Sequence, residues 1–79
     1  MPRLAFFDGV TISMYAKDHN PPHVHAYYAE DEAVFRIDTG QLLVGSLKSS
    51  QLKQVEQWIS NNTEHLAATW RRLNPGDQP

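Results

Sequence analysis

The sequence predicts a small α+β domain: an antiparallel sheet of three to four strands, then one or two C-terminal helices packed on its apolar face. Three observations carry this. Apolar and polar residues alternate from Val10 to Tyr15 and again from His23 to Asp38, which is the two-residue period of strands with one covered face. Leu52, Val55 and Ile59, and later Leu66, Trp70 and Leu73, form apolar stripes at helical spacing. Turn signals at Asp8-Gly9 and Thr39-Gly40 divide the first half into short segments.

Phe6-Phe7-Asp8-Gly9-Val10 reads as a short first strand, a tight turn and the start of a second strand. The second strand puts Val10, Ile12 and Met14 on one face and Thr11, Ser13 and Tyr15 on the other. Ala16 to Pro22 is a loop, because Asp18, Asn20 and two prolines oppose regular structure. A third strand runs from about His23 to Ala29, and a fourth from Glu32 to Asp38. A two-residue turn at Glu30-Asp31 pairs Tyr28 with Ala33, Ala26 with Phe35 and Val24 with Ile37 on an apolar face. On the other face Tyr27 then lies beside Val34, His25 beside Arg36 and His23 beside Asp38. Gln41 to Gly45 is a short apolar strand or bend, and Ser46 or Ser49 is placed to cap the first helix. Asn61 and Glu64 have the spacing of a cap pair for a second helix; a single bent helix is the competing reading. Asn74-Pro75-Gly76 ends the helical region.

Bulk properties narrow the function. Residues 1–79 allow a single domain with one modest core, and about 76–79 read as a frayed tail. There is no cysteine, so disulfides are excluded, and a metal or an oligomer is the remaining way to reinforce so short a chain. No apolar run approaches the roughly 20 residues that span a bilayer. The first residues lack the apolar stretch of a signal peptide, and the expected location is the cytoplasm. Seven basic against nine acidic residues give a formal net charge of −2, which argues against broad electrostatic binding of nucleic acid.

The chemistry is concentrated in Asp18-His19-Asn20-Pro21-Pro22-His23-Val24-His25, which holds three of the four histidines. His23 and His25 share one strand face, and His-x-His on a strand supplies two metal ligands. His19 from the loop is a candidate third ligand, with Asp38 as a ligand or an orienting group; zinc is the type of divalent metal such a set takes. A metal-free alternative uses His23 oriented by Asp38 as an acid–base group and Arg36 beside His25 as a phosphate fork. With His19, His23, His25, Arg36 and Asp38 as catalytic candidates, and Tyr15 and Tyr27 on the same face, RNA cleavage is the fitting reaction. The plain structural alternative has the imidazoles locking the proline loop through hydrogen bonds. Trp58 and Trp70 read as core, and Arg71-Arg72 as solvated charge at a helix end.

Phe7-Asp8-Gly9, Ile12, Tyr15, the Asp18 to Tyr28 run, Glu32-Ala33, Ile37-Asp38-Thr39-Gly40, Gly45-Ser46-Leu47, Trp58, Leu66 and Trp70 together resemble the domain of unknown function 4160 family, small and mostly bacterial proteins. Asp18, His19, Pro21, Pro22, His23 and His25 are the motif residues. Members commonly have glycine where Ala29 stands and proline near Lys48. The resemblance implies a component of a toxin–antitoxin-like module, because members are often encoded beside a second small domain and such pairs resemble those modules. The implied partner is a small protein from a neighbouring gene, with RNA a candidate substrate, no membrane, and a homo-oligomer a further candidate. The alternatives are a non-enzymatic binding or regulatory module and a small metal-binding protein of zinc type.

Overall fold

The computed structural model of the protein describes residues 3–77. Five strands form one sheet: β1 (Arg3–Phe7), β2 (Val10–Ser13), β3 (His23–Tyr28), β4 (Asp31–Arg36) and β5 (Leu42–Gly45). Two helices follow, α1 (Ser49–Asn61) and α2 (Thr63–Leu73), then a short 3₁₀ turn at Pro75–Asp77. The strands lie in chain order, β1-β2-β3-β4-β5, each antiparallel to the next. The α+β class is as expected, but there are five strands rather than three to four. Both outer segments, Arg3–Phe7 and Leu42–Gly45, are long enough to complete a ladder with β2 and β4.

Alternation decides which side is buried. Val10, Ile12, Val24, Ala26, Ala33 and Phe35 are fully buried, and Val55, Ile59, Leu66 and Trp70 from the helices close over them. Leu52, Trp58 and Leu73 pack at the margin. Both predicted helical stripes therefore face the sheet. Among the described residues no helix is long and apolar enough to cross a membrane.

The first hairpin turns at Asp8-Gly9, joining Phe7 to Val10, and both turn residues take positive φ, the conformation that matches the twist of the strands. The second hairpin departs from expectation. It turns at Ala29-Glu30, so Tyr28 pairs with Asp31, Ala26 with Ala33 and Val24 with Phe35. On the other face Tyr27 meets Glu32, His25 meets Val34 and His23 meets Arg36. The physical reason is Ala29, which reverses the chain early by taking φ +53°. The slip is two residues, so every side chain keeps its predicted face while its cross-strand neighbour changes. The expected pairings of His23 with Asp38 and His25 with Arg36 are replaced.

A non-glycine residue at positive φ is strained by about 1–2 kcal/mol, and the resembled family commonly has glycine here. Ala29→Gly is expected to raise unfolding free energy by about 0.5–1 kcal/mol, the relief being partly offset by the entropy glycine adds to the unfolded chain. Urea denaturation measures it; a loss of stability would show that the turn is not strained.

Neither helix starts as expected. Lys48, extended at φ −63° and ψ 152°, occupies the position before α1, and no side chain caps it. Ser49 is already helical, and Ser46 instead donates its amide to the Glu32 carbonyl. The Lys48 φ is the value a proline ring imposes, which accords with the proline common near this point in the resembled family. The break between helices falls at Asn62, not Asn61. Asn62 Nδ2 donates to the Trp58 carbonyl at 2.7 Å and Thr63 Oγ1 to the Ile59 carbonyl at 2.9 Å. These side chains satisfy the end of α1 rather than the amides of α2. Of the expected tail, Gly76 and Asp77 belong to the 3₁₀ turn, and Gln78 and Pro79 lie outside the described residues.

Candidate metal centre

β3 carries His23 and His25 on the face opposite the core, and the loop before it brings Asp18 over them. The Asn20–Pro21 peptide in that loop is cis. A buried side chain holds the loop. The Asp18 backbone amide donates to Asn74 Oδ1 at 2.6 Å, and Asn74 Nδ2 donates to the Tyr15 carbonyl at 3.2 Å. Asn74, buried at the end of α2, thus clasps both ends of the turn that begins the motif.

The side chains of Asp18, His23 and His25 converge. Asp18 Oδ2 lies 2.9 Å from His23 Nε2 and 3.8 Å from His25 Nε2, and the three donor atoms are all within 4.8 Å of one another. The far nitrogen of each ring is engaged by an oxygen. His23 Nδ1 donates to the Pro21 carbonyl at 2.7 Å, and His25 Nδ1 faces Glu32 Oε2 at 3.1 Å. A carbonyl and a carboxylate only accept, so each Nδ1 carries the proton. His25 Nε2 is buried and has no hydrogen-bond partner; the nearest oxygen, Asp18 Oδ2, is 3.8 Å away. His23 Nε2 faces the Asp18 carboxylate oxygen at 2.9 Å.

Burial pushes the Asp18 carboxyl up, but the His19 amide and the His23 ring outweigh it and hold it below its ordinary value. The sign follows: without metal, this contribution to stability is present above the ordinary carboxylate range and is lost as pH falls through the lowered value. Around His25, the Tyr15 ring makes an edge contact at 4.7 Å and the Tyr27 ring stacks at 6.3 Å. The Tyr15 and Tyr27 hydroxyls are 2.6 Å apart. Burial, then the Tyr15 hydroxyl and the Glu32 carboxylate, push the Tyr27 phenol well above its ordinary value, so it stays a neutral hydroxyl.

The other candidates sit apart. His19 is on the rim with its side chain 92% exposed; its Nδ1 reaches Asp18 Oδ1 at 3.5 Å. Arg36 Nε donates to Asp38 Oδ1 at 2.6 Å, an exposed pair that raises the Arg36 pKa and lowers that of Asp38. Asp38 borders a separate cavity with Pro22, Ile37 and Trp70. The convergent group is thus His23 and His25 with Asp18 in place of His19. Sequence reading saw Asp18 only as a motif and loop residue and Glu32 only as the start of the fourth strand; the two-residue slip of the second hairpin is what brings Glu32 beside His25.

Above the group lies a cleft of about 320 Å³, lined by Asp18, His19, Pro21, His23 and His25 on one side and by Val34, Leu43 and Val44 on the other. The donor set suits a metal ion. Three ligands 2.0–2.1 Å from one tetrahedral ion lie about 3.3 Å apart, so the observed separations need a shift on the order of an ångström. Metal-binding histidines almost always have the other ring nitrogen held by a carboxylate or a carbonyl, and here Glu32 and Pro21 supply one of each.

Comparison with known proteins reaches the level of family and says nothing of the site. No curated protein and no solved structure gives a significant match. The family model described as Domain of unknown function (DUF4160) matches residues 9–71, which hold all five strands except β1 and nearly all of both helices. The chain belongs to the DUF4160 family.

Proposed function

We propose that the protein binds one divalent transition-metal ion of zinc type through Asp18 Oδ2, His23 Nε2 and His25 Nε2, and presents it to the cleft. One observation carries this reading: His25 Nε2 is buried, has no hydrogen-bond partner and lies 3.8 Å from the Asp18 oxygen that also faces His23. A cation between these atoms would satisfy the carboxylate oxygen and both imidazole nitrogens together. Two imidazoles and a carboxylate leave a fourth position for water or substrate, the arrangement of catalytic rather than structural zinc sites. A metal there acidifies bound water and polarises a carbonyl or phosphoryl oxygen. Asp18, His23 and His25 would hold the ion, while Pro21 and Glu32 would keep each Nε2 aimed at it.

Metal analysis and calorimetric titration with zinc or cobalt test the reading on protein purified without a metal-binding tag. One ion per chain is expected, with a thermal stabilisation that grows with metal; a ligand at a hundred times its dissociation constant adds about 2.7 kcal/mol. His25→Ala and Asp18→Ala are each expected to abolish it. A melting temperature indifferent to added zinc sinks the proposal.

The setting we propose is the cytoplasm, beside a small partner protein in a toxin–antitoxin-like pair, as the resemblance implies. The Asp18–His23 pair supports a catalytic role there, because an imidazole bonded at both nitrogens is oriented for acid–base work on RNA when no ion occupies its Nε2. Expression with and without the neighbouring gene tests it: His23→Ala is expected to relieve toxicity, and a toxic His23→Ala variant excludes this site as its source.

A further inference from the structure

We infer that the open side of this centre takes a small aliphatic carboxylate, its anionic head on the metal and its hydrocarbon tail lying across Val34 toward Leu43 and Val44. The inference rests on the metal reading of the site. Charge selects the head. The three ligands alone, one carboxylate and two neutral imidazoles, would leave a divalent ion with a net charge of about +1; the Glu32 carboxylate stands behind His25, and among the described residues Asp18 is the one acid lining the cleft itself. A monoanion neutralises that centre. A phosphate dianion over-neutralises it, and no lysine or arginine lines the cleft to compensate.

Register selects the tail. His25 pairs with Val34, and Val34 with Val44, so these three side chains form a row across β3, β4 and β5 on one face. Neighbouring strands are about 4.8 Å apart, which places Val44 about 10 Å from His25 along that row. The irregular register of β5 leaves Leu43 as an extra residue, and it lines the same cleft beside Val44. Among the described residues the exposed large hydrophobics are Phe6, Leu43 and Val44, at 62%, 37% and 65%; two of the three line this cleft. Apolar surface left open beside a polar centre is the pattern of a ligand site with one oriented head. A cleft of about 320 Å³ holds a small molecule and not a folded partner.

The test uses the full chain loaded with cobalt, whose visible absorption reports ligand exchange, and the series acetate, butanoate, hexanoate and octanoate. Affinity is expected to rise up to about fourfold per methylene until the tail covers Val44, and then to level off. Val44→Asp should flatten the series while one metal per chain is still bound. Val44→Thr, which keeps the β-branch, should give a shallower slope in a folded strand. Inorganic phosphate should bind more weakly than hexanoate. Equal affinity across the series, an unchanged slope in both variants, or equal binding to metal-stripped protein overturns the inference. Metal bound with a flat series leaves the metal centre standing; a chain that takes up no cobalt or zinc removes both.

Discussion

Replacing Asn74 with alanine is expected to lower the unfolding free energy by about 2–4 kcal/mol and to weaken metal binding together with it. The amide makes two bonds to distant backbone, to the Asp18 N–H and the Tyr15 carbonyl, and a further one at 3.4 Å to the Trp70 carbonyl. Leaving a buried backbone group without its partner costs about 1–3 kcal/mol, and here two are affected. Asp18 is also a proposed ligand, and its position depends on that 2.6 Å bond. Urea denaturation gives the stability, with an unchanged slope showing that the unfolded state is the same. Zinc calorimetry gives the affinity. Asn74→Asp keeps an acceptor for the Asp18 amide and removes the donor to Tyr15, so it should retain more of the metal affinity than Asn74→Ala. A stability change below about 0.5 kcal/mol in Asn74→Ala, typical of an ordinary surface site, would mean the clasp holds nothing.

Gly45→Ala is expected to cost about 3 kcal/mol or more. Gly45 has φ +82°, and a Cβ built there would strike the Glu32 carbonyl oxygen and come within 3.1 Å of Ala33 Cα. Both obstacles are backbone in the middle of β4, so no side chain can swing aside. Left-handed strain of about 1–2 kcal/mol adds to the clash. The relief available is separation of β5 from β4, which breaks the Ser46 amide bond to the Glu32 carbonyl and moves Leu43 and Val44 off the cleft. Thermal melting checks the first effect. Hydrogen exchange at the β4–β5 amides checks the second, with protection expected to fall there and not in β2–β3. Unchanged melting would show that β5 does not approach β4 this closely.

Period and parity made most of the fold legible. Val10, Ile12, Val24, Ala26 and Phe35 were readable as core because a shift of one residue would have turned Thr11 and Ser13, the histidines, or the charged Glu32 and Arg36 into it. The helical stripes ending in Val55, Ile59, Leu66 and Trp70 were readable for the same reason. What failed were features that period does not encode. A register slip of two preserves every face, so nothing in the pattern distinguished a turn at Ala29 from one at Glu30. The capping roles of Ser46, Ser49 and Asn61 failed because several polar residues crowd each helix start, and local chemistry does not choose among them. At the site, His23 and His25 were legible from their alternation on a strand. Asp18 was not, because a loop has no period, and its position depends on Asn74, 56 residues away. Glu32 was hidden behind the same two-residue slip.

The strand order β1-β2-β3-β4-β5 also has a consequence for how the molecule assembles. Every ladder joins neighbours in the chain, so the sheet closes through short loops and low contact order, a topology that favours rapid folding. The clasp from Asn74 to Asp18 is the opposite kind of contact, spanning most of the polypeptide. During synthesis the hairpins can form as they leave the ribosome, while the histidine loop waits for the last turn of α2 to emerge and dock. The convergence of Asp18, His23 and His25 is then completed late, so a chain still being made carries the strands of the protein without its finished histidine loop.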